Sequence, residues 1–383
     1  MPAISIESHF ESLTDPRRKE PTYPLINIVT MAVCAVICGA DDFVAMANWA
    51  EEKEEWLTKF LDMSEGVPSH DRFNAIFRAL KPDEFEQCLL GWITALHEIS
   101  DGQIVAIDGK TLRRSYDKAS SKSAIHMVSA WASENHISLG QVTTNAATAT
   151  QKASNEITAI PLLLEMIEIS GALVTIDAMG CQTAIAEKIL ECDADYCLAV
   201  KDNQPTLHEE IADHFVKLVE SDFQNEDGSK ASVRRTSTSE KGHSRNEHRA
   251  YHICPVPSTM TTASRWKGIK AIGMSTSIVE RDGHEQHSVR YYILSKYLSA
   301  AKFATAVRGH WSIENSLHWQ LDVTFGEDQS RVRKGHADQN QSLLRRTALS
   351  LLKNEPTAKV GVKNKRLKAA WSEDYLTKVL FGS

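Results

Sequence analysis

Apolar positions follow two regimes along the chain. Up to about residue 98 they recur at helical spacing, as in the stripe Phe73, Ile76, Phe77 and Leu80. This predicts an all-helical region. It contains a proline-broken entry (Pro16, Pro21, Pro24), an apolar helix near 25–39, a helix near 42–62, a helix capped by Ser69, and another opened by Pro82. From about residue 100 the runs shorten. GQIVAIDGK reads as a strand ending at Asp108-Gly109, and SAIHMVSAWAS and HISLGQVTT read as a hairpin turning at Glu134-Asn135. Residues 155–169 carry a helical stripe. ALVTIDAMG is a second buried strand ending at Asp177, followed by a helix (CQTAIAEKILE) and a third strand (DYCLAVK). That order predicts an α/β fold with a mixed sheet. Residues 205–290 are charged and weakly periodic, with SDFQNEDGSKAS as a loop and two strand-like stretches, a β-rich insertion. Residues 308–333 read as one amphipathic helix, then an acidic and a basic loop.

Composition narrows the class. A chain of 383 residues, 42% hydrophobic and 24% charged, builds cores for two or three domains, or one large domain with an insertion, and is not disordered. The net charge of -7 gives no global attraction to nucleic acid, so any such contact must be local. One stretch qualifies. Residues 331–369 hold Arg331, Arg333, Lys334, Arg345, Arg346, Lys353, Lys359, Lys363, Lys365, Arg366 and Lys368 against Asp338 and Glu355. Seven scattered cysteines without a C-x-x-C pair suit reduced thiols in the cytoplasm. The uncharged run Leu25–Ala40 is 16 residues, short of the ~20 that span a bilayer. The N-terminus shows no basic region or apolar signal core, so no membrane is expected.

Three carboxylates attract notice. Asp108 and Asp177 each end an apolar strand, where ligands bind in open α/β sheets. Each also has a plainer reading, as a turn residue or a helix cap. Glu314 lies among His310, Trp311, Ile313, Leu317, His318 and Trp319, and a glutamate in such surroundings needs a cationic partner. His310, Glu314 and His318 at i, i+4 and i+8 lie roughly along one helical face. Gathered by the fold, the three would form a divalent-metal site suited to phosphodiester chemistry. Asp322, Glu327 and Asp328 are competing ligands. A zinc site is disfavoured by the lack of H-E-x-x-H spacing. A phosphate loop at Gly109-Lys110-Thr111 would need glycine at 104, which is isoleucine. Trp311 and Trp319 are expected to pack in the core.

Six motifs in order carry a resemblance: VPSHDRFNAIFRAL (67–80), AIDGKTLRRS (106–115), TIDAMGCQ (175–182), LAVKDNQPTL (198–207), GHSRNEHR (242–249) and RGHWSIENSLHWQLDVTFGEDQSRVR (308–333). The sequence resembles the DDE transposases of bacterial insertion sequences, specifically the H-repeat-associated family. The resemblance implies an RNase H-like mixed-sheet catalytic core, a helical N-terminal domain and a β-rich insertion. It implies boundaries near 1–98 (helical), 99–355 (catalytic, insertion about 205–290) and 356–383 (basic C-terminal tail). It makes Asp108, Asp177 and Glu314 the catalytic and metal-binding set, holding Mg²⁺ or Mn²⁺, two ions. The partners implied are the element's terminal inverted repeats, target DNA and further copies of the chain in a synaptic dimer or higher multimer. Candidate DNA contacts are Arg113, Arg114, Lys201, Arg245, Arg308, His310, Arg331, Arg333 and Lys334. Broader relatives place Tyr, Arg and Lys around the glutamate, where this chain has Val307, His310 and Leu321. Two other readings share these residues: a nuclease that cuts without joining, and a catalytically silent DNA-binding remnant.

Overall fold

The strands, numbered along the chain, are β1 (Ile104–Thr111), β2 (His126–Ala132), β3 (Ile137–Thr144), β4 (Leu173–Ile176), β5 (Asp195–Val200), β6 (Arg234–Gly242), β7 (Arg245–Pro255), β8 (Ala271–Arg281) and β9 (His284–Leu294). The computed structural model describes residues 6–19, 21–96, 102–112, 126–144, 155–224, 229–242, 245–281 and 283–382. By internal contacts the chain divides into two units. The first gathers Met1–Ser100, Lys110–Ala146 and Glu314–Ser383, and the second Asp101–Gly109 and Ala147–Ile313.

The first unit is mainly helical. Its helix Leu25–Ile37 is buried from Asn27 onward, as an apolar run without charge requires. No helix among the described residues is long and apolar enough to cross a membrane. Helix Ala337–Asn354 is buried along nearly its whole length and touches helices Leu25–Ile37, His70–Ala79 and Pro82–Leu96. Polar side chains from it and from the helix Val362–Trp371 serve open helix ends nearby. Asn340 Nδ2 donates to the carbonyls of Phe77 (2.8 Å) and Leu80 (2.9 Å). Arg366 Nη2 donates to Val36 O at 2.9 Å and pairs with Asp41 at 2.9 Å. Residues beyond 356 form helices Val362–Trp371 and Glu373–Phe381. β2 and β3 make the expected antiparallel hairpin.

Several local expectations need correction. Ser69 occupies the N-cap position but its side chain makes no cap bond, whereas Asp42 accepts from Ala45 N at 2.8 Å. The helix expected over 42–62 is two pieces, Phe43–Glu52 and Glu54–Leu57, broken at Lys53. The basic stretch 331–369 is not one surface: Arg345, Arg346, Lys365 and Arg366 are buried.

The second unit is built on a mixed sheet. Its strands run β1-β4-β5-β9-β8-β7-β6, with β1, β4 and β5 parallel and the rest antiparallel. All four residues of β4 are buried, the pattern of a parallel strand covered on both faces. Helix Ala300–Ser312 packs on the sheet through Phe303, whose ring lies edge-on to Tyr251 and Tyr292 and fills the space over Gly273. The far ends of β6 to β9 are largely exposed, consistent with their charged sequences. Helix Pro205–Glu220 begins the stretch that read as weakly periodic. Its Leu207, Ile211, Phe215 and Leu218 are a regular buried stripe among charges.

Candidate active site

β1 and β4 pair in parallel with Ile107 opposite Ile176, so the next residue of each, Asp108 and Asp177, comes at the same level of the sheet. Both are half-buried. The strand reading had β1 stopping at Asp108-Gly109, but it continues to Thr111. β4 does stop before Asp177, where the chain turns sharply. Asp177 Oδ1 accepts from Met179 N (3.0 Å) and Gly180 N (3.3 Å). Only glycine fits at 180, because a Cβ there would sit 2.2 Å from Ile176 Cγ2. The turn is held from outside. Asn203 Nδ2 donates to Ala178 O at 2.6 Å and Gln204 Nε2 to Cys181 O at 3.1 Å. Burial, and then the charge of Asp177, drives the Cys181 thiol up to about 12, so it stays protonated.

His310, on the last turn of helix Ala300–Ser312, brings Nδ1 to 3.5 Å from Thr175 Oγ1. Burial lowers its pKa, against the raising effect of Asp177, and it is neutral at pH 7. Arg308 pairs with Glu240 on β6, and Arg245 with Glu247 at 2.5 Å. Arg290 lies over the Trp311 ring at 4.4 Å. Trp311 and Trp319 are 38% and 53% exposed, not core residues as expected. Lys201 is exposed just past β5.

In the first unit Glu314 is exposed, near the start of a π-helical turn, Ile313–His318, that leads into helix Trp319–Val323. The wider turn breaks the regular helix expected over 308–323, so the i, i+4, i+8 alignment of His310, Glu314 and His318 does not hold. His318 is buried, and desolvation, with Arg346 and Lys110 nearby, drives its pKa down to about 3. Two of the competing ligands are engaged. Lys110, buried, pairs with Asp322 and lies 2.8 Å from Glu327 Oε2. Glu327 also accepts from Ser342 Oγ at 2.8 Å. Burial alone would push its carboxyl up, but Lys110, Arg346 and Arg345 outweigh that and leave it at about 2. Arg331 and Lys334 are exposed and Arg333 half-buried, before helix Ala337–Asn354. Arg113 and Arg114 lie outside the described residues.

Among the described residues no group of three His, Cys, Asp or Glu is gathered closely enough to hold a metal ion. The second unit brings together Asp108 and Asp177, two hard oxygen donors of the kind Mg²⁺ and Mn²⁺ prefer. Lys110, Thr175, Asn203 and Gln204 carried no assigned role in the sequence. The motif LAVKDNQPTL marked the last two without saying what they touch.

Asp108 within β1 and Asp177 just past β4 stand at one level of two neighbouring parallel strands, and the chain belongs to the DDE transposase family. Residues 99–351 match the family described as Transposase DDE domain, and residues 7–93 the one described as DDE_Tnp_1-associated. Such domains generally use divalent metal ions. The chain is 42% identical over 362 residues to "Putative transposase YncI" of Escherichia coli O157:H7, covering 94% of this chain and 89% of that one. It is 38% identical over 366 residues to "H repeat-associated putative transposase YhhI" of Escherichia coli (strain K12), covering 94% and 93%. It is also 35% identical over 291 residues to "Uncharacterized protein in dhlA 3'region" of Xanthobacter autotrophicus, covering 75% and 92%.

Proposed function

We propose that the protein is a DNA transposase that cuts the ends of an insertion sequence and joins them to target DNA in the cytoplasm. We assign Asp108, Asp177 and Glu314 to catalysis and metal binding, on an RNase H-like core. The observation that carries this reading is the aspartate pair at one level of adjacent parallel strands, Asp108 within β1 and Asp177 just past β4, in a chain of the DDE family. Glu314 is supported by the motif around it and by its exposure on a turn whose Ile313, Leu317 and His318 are buried.

Two Mg²⁺ or Mn²⁺ ions held by these carboxylates would neutralise charge on the scissile phosphate and acidify the attacking hydroxyl. The chain's own contribution is placement. Asp177 commits Oδ1 to its turn, so its second oxygen is the one available for coordination. Neutral His310 adds no charge beside it. In the cleavage step water attacks phosphorus, the P–O3′ bond breaks, and the 3′-oxygen leaves as a hydroxyl. In the joining step that hydroxyl attacks a target phosphodiester, one P–O bond forming as another breaks. Lys201, Arg245, Arg308, His310, Arg331, Arg333 and Lys334, with Arg113 and Arg114, are assigned to DNA. The acting form is a dimer or higher multimer on paired ends.

The test is cleavage and strand transfer with Mg²⁺ on element-end DNA, with pre-nicked ends as a second substrate. Asp108→Asn, Asp177→Asn and Glu314→Gln should each abolish both products. Full activity in any variant removes that residue from the site. Cleavage without joined product from pre-nicked ends would make the protein a nuclease instead.

A further inference from the structure

Asp177 stands on a turn rather than within a strand, so something must fix that turn. β4 ends at Ile176, and residues 177–181 reach helix Thr183–Glu191 with few backbone bonds of their own. The two Asp177 Oδ1 bonds lie inside the turn, so they shape it without anchoring it. The anchors come from residues 203 and 204, past β5. Asn203 Nδ2 meets the carbonyl of Ala178, the residue directly after Asp177, at 2.6 Å. Gln204 Nε2 meets the carbonyl of Cys181, where the turn ends, at 3.1 Å. Both partners are carbonyl oxygens, so each amide must present its NH₂ group. Gln204 is also fixed from its own backbone, its N–H donating to Lys201 O at 2.9 Å. From Pro205 the chain is a 16-residue helix, a rigid mount for the pair.

We infer that Asn203 and Gln204 are positioning residues for Asp177: their amides grip the turn at both ends and hold the carboxylate ready for a divalent cation. The inference rests on the assignment of Asp177 as a metal ligand. A ligand whose supporting bonds are cut loses metal affinity, by about 10–100-fold in comparable sites. Asn203 is exposed and touches the turn through one amide, so Asn203→Ala removes the grip with little burial lost.

The experiment is calorimetric titration of the full-length, metal-free protein with Mn²⁺, run on wild type, Asp177→Asn, Asn203→Ala, Gln204→Ala and the double Ala variant. Melting temperature and affinity for element-end DNA are measured alongside. Asp177→Asn should lose most of the Mn²⁺ binding. Each single Ala variant should bind Mn²⁺ about 10-fold more weakly, and the double variant more weakly still. DNA affinity should stay within twofold of wild type, so that in the cleavage assay kcat falls while KM for DNA does not. If wild type and Asp177→Asn differ as expected while both Ala variants bind Mn²⁺ like wild type, the clamp is wrong and the metal reading stands. If wild type binds no Mn²⁺, or Asp177→Asn binds it unchanged, the metal assignment fails and the clamp falls with it. Should Asn203→Ala melt well below wild type, Gln204→Ala decides, by the same criterion.

Discussion

Replacing Lys110 by methionine should destabilise the first unit more than any surface substitution. Lys110 is 8% exposed, and its ammonium is the cationic partner of Asp322 and of Glu327, whose side chain is 1% exposed. Methionine fills similar space but leaves two carboxylates facing it without that charge. Breaking a buried ion pair from one side costs about 3–5 kcal/mol, because the remaining charge stays desolvated. For a domain of this size that lowers Tm by roughly 10 °C. Urea unfolding followed by circular dichroism gives the free energy directly. Acid adds a second signature. In wild type, Glu327 at about 2 supplies stability that is present above about pH 4.5 and lost as pH falls through 2. Without Lys110 the raising effect of burial is less opposed, and the carboxyl moves up. The variant's deficit should therefore shrink as pH drops from 7 to 5. The double variant Lys110→Met/Glu327→Gln should recover more than about 1 kcal/mol over Lys110→Met alone. A cost below about 1 kcal/mol, or strict additivity, would refute the view of Lys110 as the centre of a buried charge network.

Glu86 is held at about 8 by burial, so folding keeps it protonated and stability declines as pH rises from 4.5 to 8; Glu86→Gln should gain about 2–4 kcal/mol on wild type at pH 9 and little at pH 4.5 in urea titrations. Gly180→Ala should cost about 1–3 kcal/mol, because its Cβ meets Ile176, and should lower cleavage by displacing Asp177; an unchanged melt would contradict the tight turn. Asn155→Ala removes the capping box of helix Glu156–Met166 and should cost about 1 kcal/mol by urea unfolding. In DNA binding against salt, Lys334→Ala should reduce the slope of log K by about 1, whereas Arg346→Met should leave the slope unchanged and lower Tm.

The strands themselves were legible because a short apolar run is a local signal: the run before Asp177 forms β4 and stops there, whereas the run before Asp108 forms β1, which carries on past the aspartate to Thr111. The helices before residue 98 were legible by the same kind of periodicity, apart from the break at Lys53. Charge was not legible in the same way. Arg345 and Arg346 counted toward a basic surface, yet they are buried beside Glu327, which lies more than a turn of chain away in sequence. A tally of charges carries no depth, and depth is set by a core assembled from distant segments. The turn around Glu314 misled for a related reason. Apolar spacing predicts a regular helix, whereas a π turn inserts extra backbone that side-chain pattern does not record. Helix Pro205–Glu220 was hidden by its charges, although its four buried residues keep helical spacing.

Helix Ala337–Asn354 has a consequence for how the protein is made. It supplies a wall for helices Leu25–Ile37, His70–Ala79 and Pro82–Leu96, and its Asn340 closes the end of His70–Ala79. Residues 25–96 therefore lack one wall of their core until residues 337–354 have been made. Residues 147–313, contiguous within the second unit, can pack meanwhile. A chain stopped before residue 337 should leave residues 25–96 open to protease. Synthesis of residues 337–354 becomes the condition for residues 25–96 to close their core.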